Sequence, residues 1–200
     1  MIFVRQEVTP IGPCPSDEDG ILRRIEQAGR LAWKSEHKTG EHSHRDFYRM
    51  LIQRGHTSVL EHGNIVLKMP VEYHMSLIDR KQYHPHVHAG GKIYIGGNVR
   101  AWRESLEAMK EQKHWMLEKC GTTLKHHYPV MFCDYEKSHT LLEPAVDSES
   151  QIALNSDMPL YSFHIVCDRG ISHELVRHRK LSFTQVSTRY VNESNRGMIF

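Results

Sequence analysis

The residues best suited to chemistry lie near the C-terminus, in ISHELVRHRKLSFTQVSTRY, Ile171 to Tyr190. Arg177, His178, Arg179 and Arg189 are cationic or planar groups directly behind an apolar run, and Ser182, Thr184, Ser187, Thr188 and Gln185 add hydroxyls and an amide. Two arginines flanking a histidine present fixed forks of donors suited to phosphate or to a ring carbonyl. An amide and a hydroxyl at alternate positions suit the edge of a pyrimidine. The plain alternative is a solvated basic helix paired with acids such as Glu174. HELVRH also invites a zinc-protease reading, which needs two histidines four residues apart on one helical face. His173 and His178 are five apart, which on a helix turns them from one another by roughly 140°. They cannot share a metal from one regular helix.

Two other clusters offer less. His84, His86 and His88 alternate in YHPHVHAGG and on a strand would point to one side. Pro85 and the glycines that follow argue against a regular strand, and no carboxylate or cysteine sits nearby, so the run reads as a solvated loop and not a metal site. GGKIYIGG lacks the Ser or Thr after its lysine that a phosphate loop requires. Cys14, Cys120, Cys133 and Cys167 are scattered with no CxxC pair, which argues against a zinc ribbon or redox dithiol and for reduced thiols.

The chain has 200 residues, 39% apolar and 25% charged, enough for one substantial globular domain. No apolar run approaches the roughly 18 residues of a membrane span, and MIFVRQEVTP is not a secretion signal, so a cytoplasmic protein without a membrane partner is expected. A net charge of +2 and a short basic cluster weigh against a nucleic-acid-binding module, whose mark would be salt-sensitive oligonucleotide binding through Arg177, Arg179 and Arg189.

Around these residues the pattern predicts a helix from an N-cap at Ser16-Asp17 to about Trp33, with Ile21, Ile25, Ala28 and Ala32 on one face. A second helix carries Phe47, Met50 and Leu51 and stops at Gly55. Asn64 to Met69 reads as a strand closed by Pro70, and Lys92 to Ile95 as a short strand inside a loop. Asn98 to Cys120 reads as one long helix ending at Gly121, with Trp102, Leu106, Met109, Lys113 and Met116 as its inner stripe. Residues 122 to 158 have the composition of loop or linker. Leu160 to Cys167 is a strand broken at Gly170, followed by a helix capped by Ser172 over HELVRHR. Ser182 to Tyr190 is extended or loop.

Order and spacing add a resemblance. Arg177-His178-Arg179, seven residues, Ser187, then Arg189-Tyr190 resembles the RHR-x7-S signature and SxRY tail of the flavin-dependent thymidylate synthases. Upstream, Gly55 to His62, GHTSVLEH, resembles that family's GHxSxxEH segment, and Asn98-Val99-Arg100-Ala101-Trp102 its NxRxW helix start. The resemblance implies an α+β fold, a mostly antiparallel sheet packed with helices. It forms a single domain over 1–200 in which 70–158 diverge from the family or are inserted.

It further implies a homotetramer with sites between subunits, FAD as cofactor, NADPH as reductant and methylenetetrahydrofolate as carbon donor for the methylation of dUMP. Carried over, Arg177, His178 and Arg179 hold the flavin, together with His56, Ser58, Glu61, Asn98 and Arg100. Glu174, Arg177, Gln185, Ser187 and Arg189 bind the nucleotide, with Arg189 at the pyrimidine and Ser187 beside it as the catalytic pair. Ser187 binds rather than attacks, since no base is evident to activate it. The alternative is a non-catalytic relative that binds flavin or nucleotide without turnover.

Overall fold

The computed structural model describes residues 3–70, 83–88, 92–111, 116–135, 151–153, 160–178, 181–187 and 198–199. It is an α+β fold whose sheets are antiparallel, apart from a two-residue parallel ladder between β1 (Phe3–Val4) and β8 (Met198–Ile199).

Helix α1 spans Glu18–Trp33 and begins as the sequence predicts. The Asp17 carboxylate accepts the Gly20 N–H at 2.8 Å, and Glu18 and Asp19 fill the first turn where the helix dipole favours acids. Ile21, Ile25 and Ala32 are buried, and Ala28 packs at the edge of the core. Helix α2, Ser43–Gln53, buries Phe47 and Leu51, with Met50 packed against the core, and adds His44 and Tyr48. The two helices approach closely at Gly29, where a Cβ would lie 2.7 Å from the Phe47 ring. Gly55, at φ +67°, turns the chain out of α2 in a Schellman arrangement: its N–H reaches Ile52 O and that of His56 reaches Leu51 O at 2.9 Å.

The main sheet has the order β4-β5-β3-β6. Its centre is β3, Asn64–Pro70, in which Ile65, Val66, Leu67 and Met69 are fully buried and only Lys68 between them is polar, so both faces of the strand are largely apolar. β5 is longer than the expected Lys92–Ile95. It spans Lys92–Asn98 because Gly96 and Gly97 pair with Val66 and Ile65, where small residues admit a close backbone. The histidine-rich run is a strand too, β4, Tyr83–His88. It lies at the sheet edge, where Pro85 costs no central ladder bond. The segment expected to be loop supplies β6, Gln151–Ala153, at the other edge.

The described helical residues here are α3, Val99–Glu111, and α4, Met116–His127, so helix runs past Gly121 and does not end there. Gly121 lies inside α4, where the Tyr135 ring occupies the space that a Cβ would need and so excludes any larger residue. Of the expected inner stripe, Trp102 and Leu106 are buried, and Trp102 Nε1 donates to Ile65 O at 3.1 Å. The side chains of Met109, Lys113 and Met116 lie outside the described residues.

β7, Tyr161–Val166, forms as predicted and pairs with β2, Glu7–Pro13, through a bulge between Pro10 and Gly12. The following helix α5 is shorter and starts earlier than expected, at Arg169–Leu175. Asp168, not Ser172, is its cap, accepting the Ile171 N–H at 3.0 Å. Ser172 lies inside and turns its hydroxyl back to Arg169 O. Residues 182–187 carry no regular secondary structure.

Candidate functional site

The Schellman turn at Gly55 fixes where His56 emerges. From there Thr57–His62 winds one 3-10 turn, anchored by the buried Val59 and Leu60 beneath it. The anchoring leaves Ser58 exposed and His56 half-exposed on the outer side, with the His56 ring 5.5 Å from that of Trp33 at the end of α1. Glu61 faces α3, where Arg100 Nη1 donates to its carboxylate at 2.8 Å while Arg100 Nε donates to Glu104 at 2.6 Å. The bond to Glu104, with that to Glu61, raises the Arg100 pKa against the pull of burial. Asn98 caps α3, its side-chain oxygen accepting the Ala101 N–H at 2.8 Å. The helix start matched in the sequence is therefore a helix start in the fold.

The facing wall comes from the far end of the chain. The Ser187 N–H donates to Ala32 O at 2.8 Å, and Thr184 Oγ1 lies 2.8 Å from His62 Nε2. Burial lowers the His62 pKa more than the Glu61 charge raises it, so the ring is neutral near pH 7. Between these two attachments Gln185 stands at the mouth, its amide also touching Ser172 O at 3.4 Å. The two walls enclose a cleft of about 430 Å³ lined by Trp33, His56, Ser58, Arg100, Phe183 and Gln185, among others.

Four of the residues singled out from the sequence thus line one cleft: His56, Ser58, Arg100 and Gln185. Glu61 is tied to it through Arg100, and Ser187 through Ala32. Glu174, Arg177 and His178 are exposed and do not line it; Arg177 makes a solvent-facing ion pair with Glu174 at 2.8 Å. Arg179 and Arg189 lie outside the described residues. Trp33 and Phe183 are lining residues that the sequence patterns do not single out. An isolated aromatic at a helix end or in a loop carries no periodic signal, and only the tertiary fold brings the two together.

A flavin suits this cleft by its chemistry. Trp33, His56 and Phe183 offer ring faces to a flat heteroaromatic, and Arg100, Ser58 and Gln185 offer donors to its polar edge. Among the described residues no group of three or more His, Cys, Asp or Glu could hold a metal ion.

Comparison with known proteins agrees with this chemistry. Residues 136–200, which contain the RHR-x7-S segment, match the family described as thymidylate synthase complementing protein. The chain is also 21% identical over 193 residues to a flavin-dependent thymidylate synthase of Aquifex aeolicus (strain VF5), an alignment covering 87% of this chain and 60% of that protein. The chain therefore spans about 60% of the length of the curated relative it matches. The last third of the chain is thus similar to the thymidylate synthase complementing proteins, and most of its length, at low identity, to a flavin-dependent thymidylate synthase.

Proposed function

We propose that this protein carries out the reductive methylation of dUMP to dTMP, with methylenetetrahydrofolate as carbon donor, NADPH as reductant and FAD as cofactor. The observation that carries the reading is the meeting of His56 and Ser58 with Gln185 across one cleft, although about 130 residues separate the two segments. Bound FAD would relay the reducing equivalents that turn the transferred one-carbon group into a methyl. The chain's own residues bind and orient. His56, Ser58, Glu61, Asn98 and Arg100 hold the flavin, joined by Arg177, His178 and Arg179. Gln185, Ser187 and Arg189, with Glu174 and Arg177, hold the nucleotide. A guanidinium at Arg189 beside a pyrimidine carbonyl favours the electron-rich, enolate-like ring whose carbon attacks. Ser187 is read as a binding residue and not a nucleophile, since among the described residues no hydrogen bond joins its hydroxyl to a base.

The solvent-facing position of Glu174, Arg177 and His178, away from the cleft lining, supports a homotetramer in which segments of different copies complete each site. The four cysteines are free, in keeping with a reducing, cytoplasmic setting, and no described helix is long and apolar enough to cross a membrane.

The test is the visible spectrum of the purified protein before and after NADPH and dUMP, together with tritium release from labelled dUMP. Flavin bleaching by NADPH and release of tritium are expected. Arg189→Ala is expected to abolish dUMP binding with the fold intact; unchanged dUMP affinity in that variant would remove the nucleotide assignment. A yellow protein that releases no tritium is instead a binding relative without turnover.

A further inference from the structure

We propose that His62, the last residue of the 3-10 turn, is a positioning residue that holds Thr184 so that Gln185 stays in the cleft lining and Ser187 stays beside it. The proposal rests on the nucleotide-binding reading of the 182–187 segment given above.

The two ends of the contact differ in rigidity. On the His62 side the backbone is fixed from several directions. Its carbonyl accepts the Cys14 thiol at 3.9 Å, and the next N–H, that of Gly63, reaches Leu60 O at 3.2 Å. The Gly63 carbonyl in turn receives the Val99 N–H at 3.0 Å. Gly63 lies so close to α1 and α3 that a Cβ there would fall 2.7 Å from Ile21 and 2.9 Å from Ile25 and Val99. On the Thr184 side residues 182–187 have no ladder or helix to hold them. They hang on the His62–Thr184 bond, the Ser187–Ala32 bond and the long Gln185–Ser172 contact. The first two bracket Gln185, so the height of its amide over His56 and Ser58 is set by them. A bond from a rigid turn to an unsupported segment transmits position in one direction, from the turn to the segment. It also gives the second histidine of GHTSVLEH a task distinct from that of His56, since His62 does not itself line the cleft but bonds Thr184, which does.

Substitutions that keep shape but change reach test this. Thr184→Val removes the hydroxyl and Thr184→Ser keeps it. His62→Gln can present an amide near the position of Nε2, whereas His62→Asn stops short. Thr184→Val and His62→Asn are each expected to weaken dUMP binding about five-fold, the order of one net hydrogen bond. The double variant is expected to lose no more than either alone. Thr184→Ser and His62→Gln stay near wild type, with flavin content and melting temperature unchanged throughout. The Ser187 amide should exchange faster with solvent in Thr184→Val.

Wild-type dUMP affinity in both Thr184→Val and His62→Asn, or fully additive losses, would overturn the proposal, as would losses that only follow a fall in melting temperature. If the wild-type protein retains flavin but binds no dUMP, the nucleotide reading fails. Ser187 amide exchange then decides the positioning by itself: faster exchange in Thr184→Val supports it and unchanged exchange refutes it.

Discussion

Glu18 sits half-buried in the first turn of α1, and one of its oxygens accepts both the Val130 N–H at 2.8 Å and the Met131 N–H at 3.0 Å. The same turn is served from its other side, where Met131 O receives Tyr48 Oη at 2.8 Å and Arg103 Nη1 at 2.6 Å. Burial pushes the Glu18 carboxyl above its ordinary range, more than the two N–H bonds pull it down. A carboxyl raised on folding binds its proton more tightly in the native state. Its contribution to stability is therefore full below the unfolded value and is lost as pH rises through the raised one. Glu18→Gln keeps an acceptor for both N–H groups without the buried charge. It should match the wild type in acid and melt higher near pH 7. Glu18→Ala strands the two donors at both pH values, at a cost of about 1–3 kcal/mol. Thermal unfolding of the three proteins at pH 4 and pH 7 checks the sign. A wild type that outlasts Glu18→Gln at neutral pH would show that the ionised carboxylate's bonds outweigh its burial.

At the scale of elements, Gly63 joins the site to the core. It follows the 3-10 turn, precedes β3, and is wedged between Ile21, Ile25 and Val99 with no room for a Cβ. Gly63→Ala should therefore overpack the junction and cost about 1–3 kcal/mol. It should also shift the turn that carries His56, Ser58 and Glu61, so flavin retention falls alongside the melting temperature. An alanine variant that melts and holds flavin like the wild type would refute the close packing. This junction also marks the limit of what is legible in the sequence. Elements bounded by local chemistry are readable: Asp17 caps α1, and Gly55 turns the chain out of α2. Elements decided by a distant partner are not. Gly96 and Gly97 look like loop residues until Val66 and Ile65 lie opposite them, and Gly121 looks like a helix stop although α4 runs past it beneath the Tyr135 ring. The site divides in the same way. The motif residues His56, Ser58, Arg100 and Gln185 are reached through the resemblance of their segments to a known family. Trp33 and Phe183 are found only when α1 and the 182–187 segment come together.

At the scale of the whole molecule, the β2–β7 ribbon turns its apolar side outward. Tyr161, Phe163 and Ile165 of β7 are 59%, 55% and 38% exposed, while Ser162, His164 and Val166 between them are half-buried. Across the ladder Val8, 62% exposed, stands opposite Ile165, and Pro10 opposite Phe163, which places all of them on one face. A two-stranded ribbon gains little from its own pairing, and an apolar face of this kind in water suits burial against a second copy, as the proposed tetramer would supply. The ribbon leads directly through Cys167 and Asp168 into α5, which carries the exposed Glu174, with Arg177 and His178 just beyond it, groups assigned to the site yet absent from the cleft lining. A second copy seated on this face would bury the apolar side chains and bring those cations towards a neighbour's cleft, as the proposed tetramer requires. Phe163→Glu places a charge at the middle of the face without touching the described core. Sedimentation should then show a smaller species with wild-type circular dichroism, and activity should fall with assembly. A variant that keeps the wild-type mass would take this face out of the interface, and a wild type that sediments as a monomer would remove the shared-site proposal altogether.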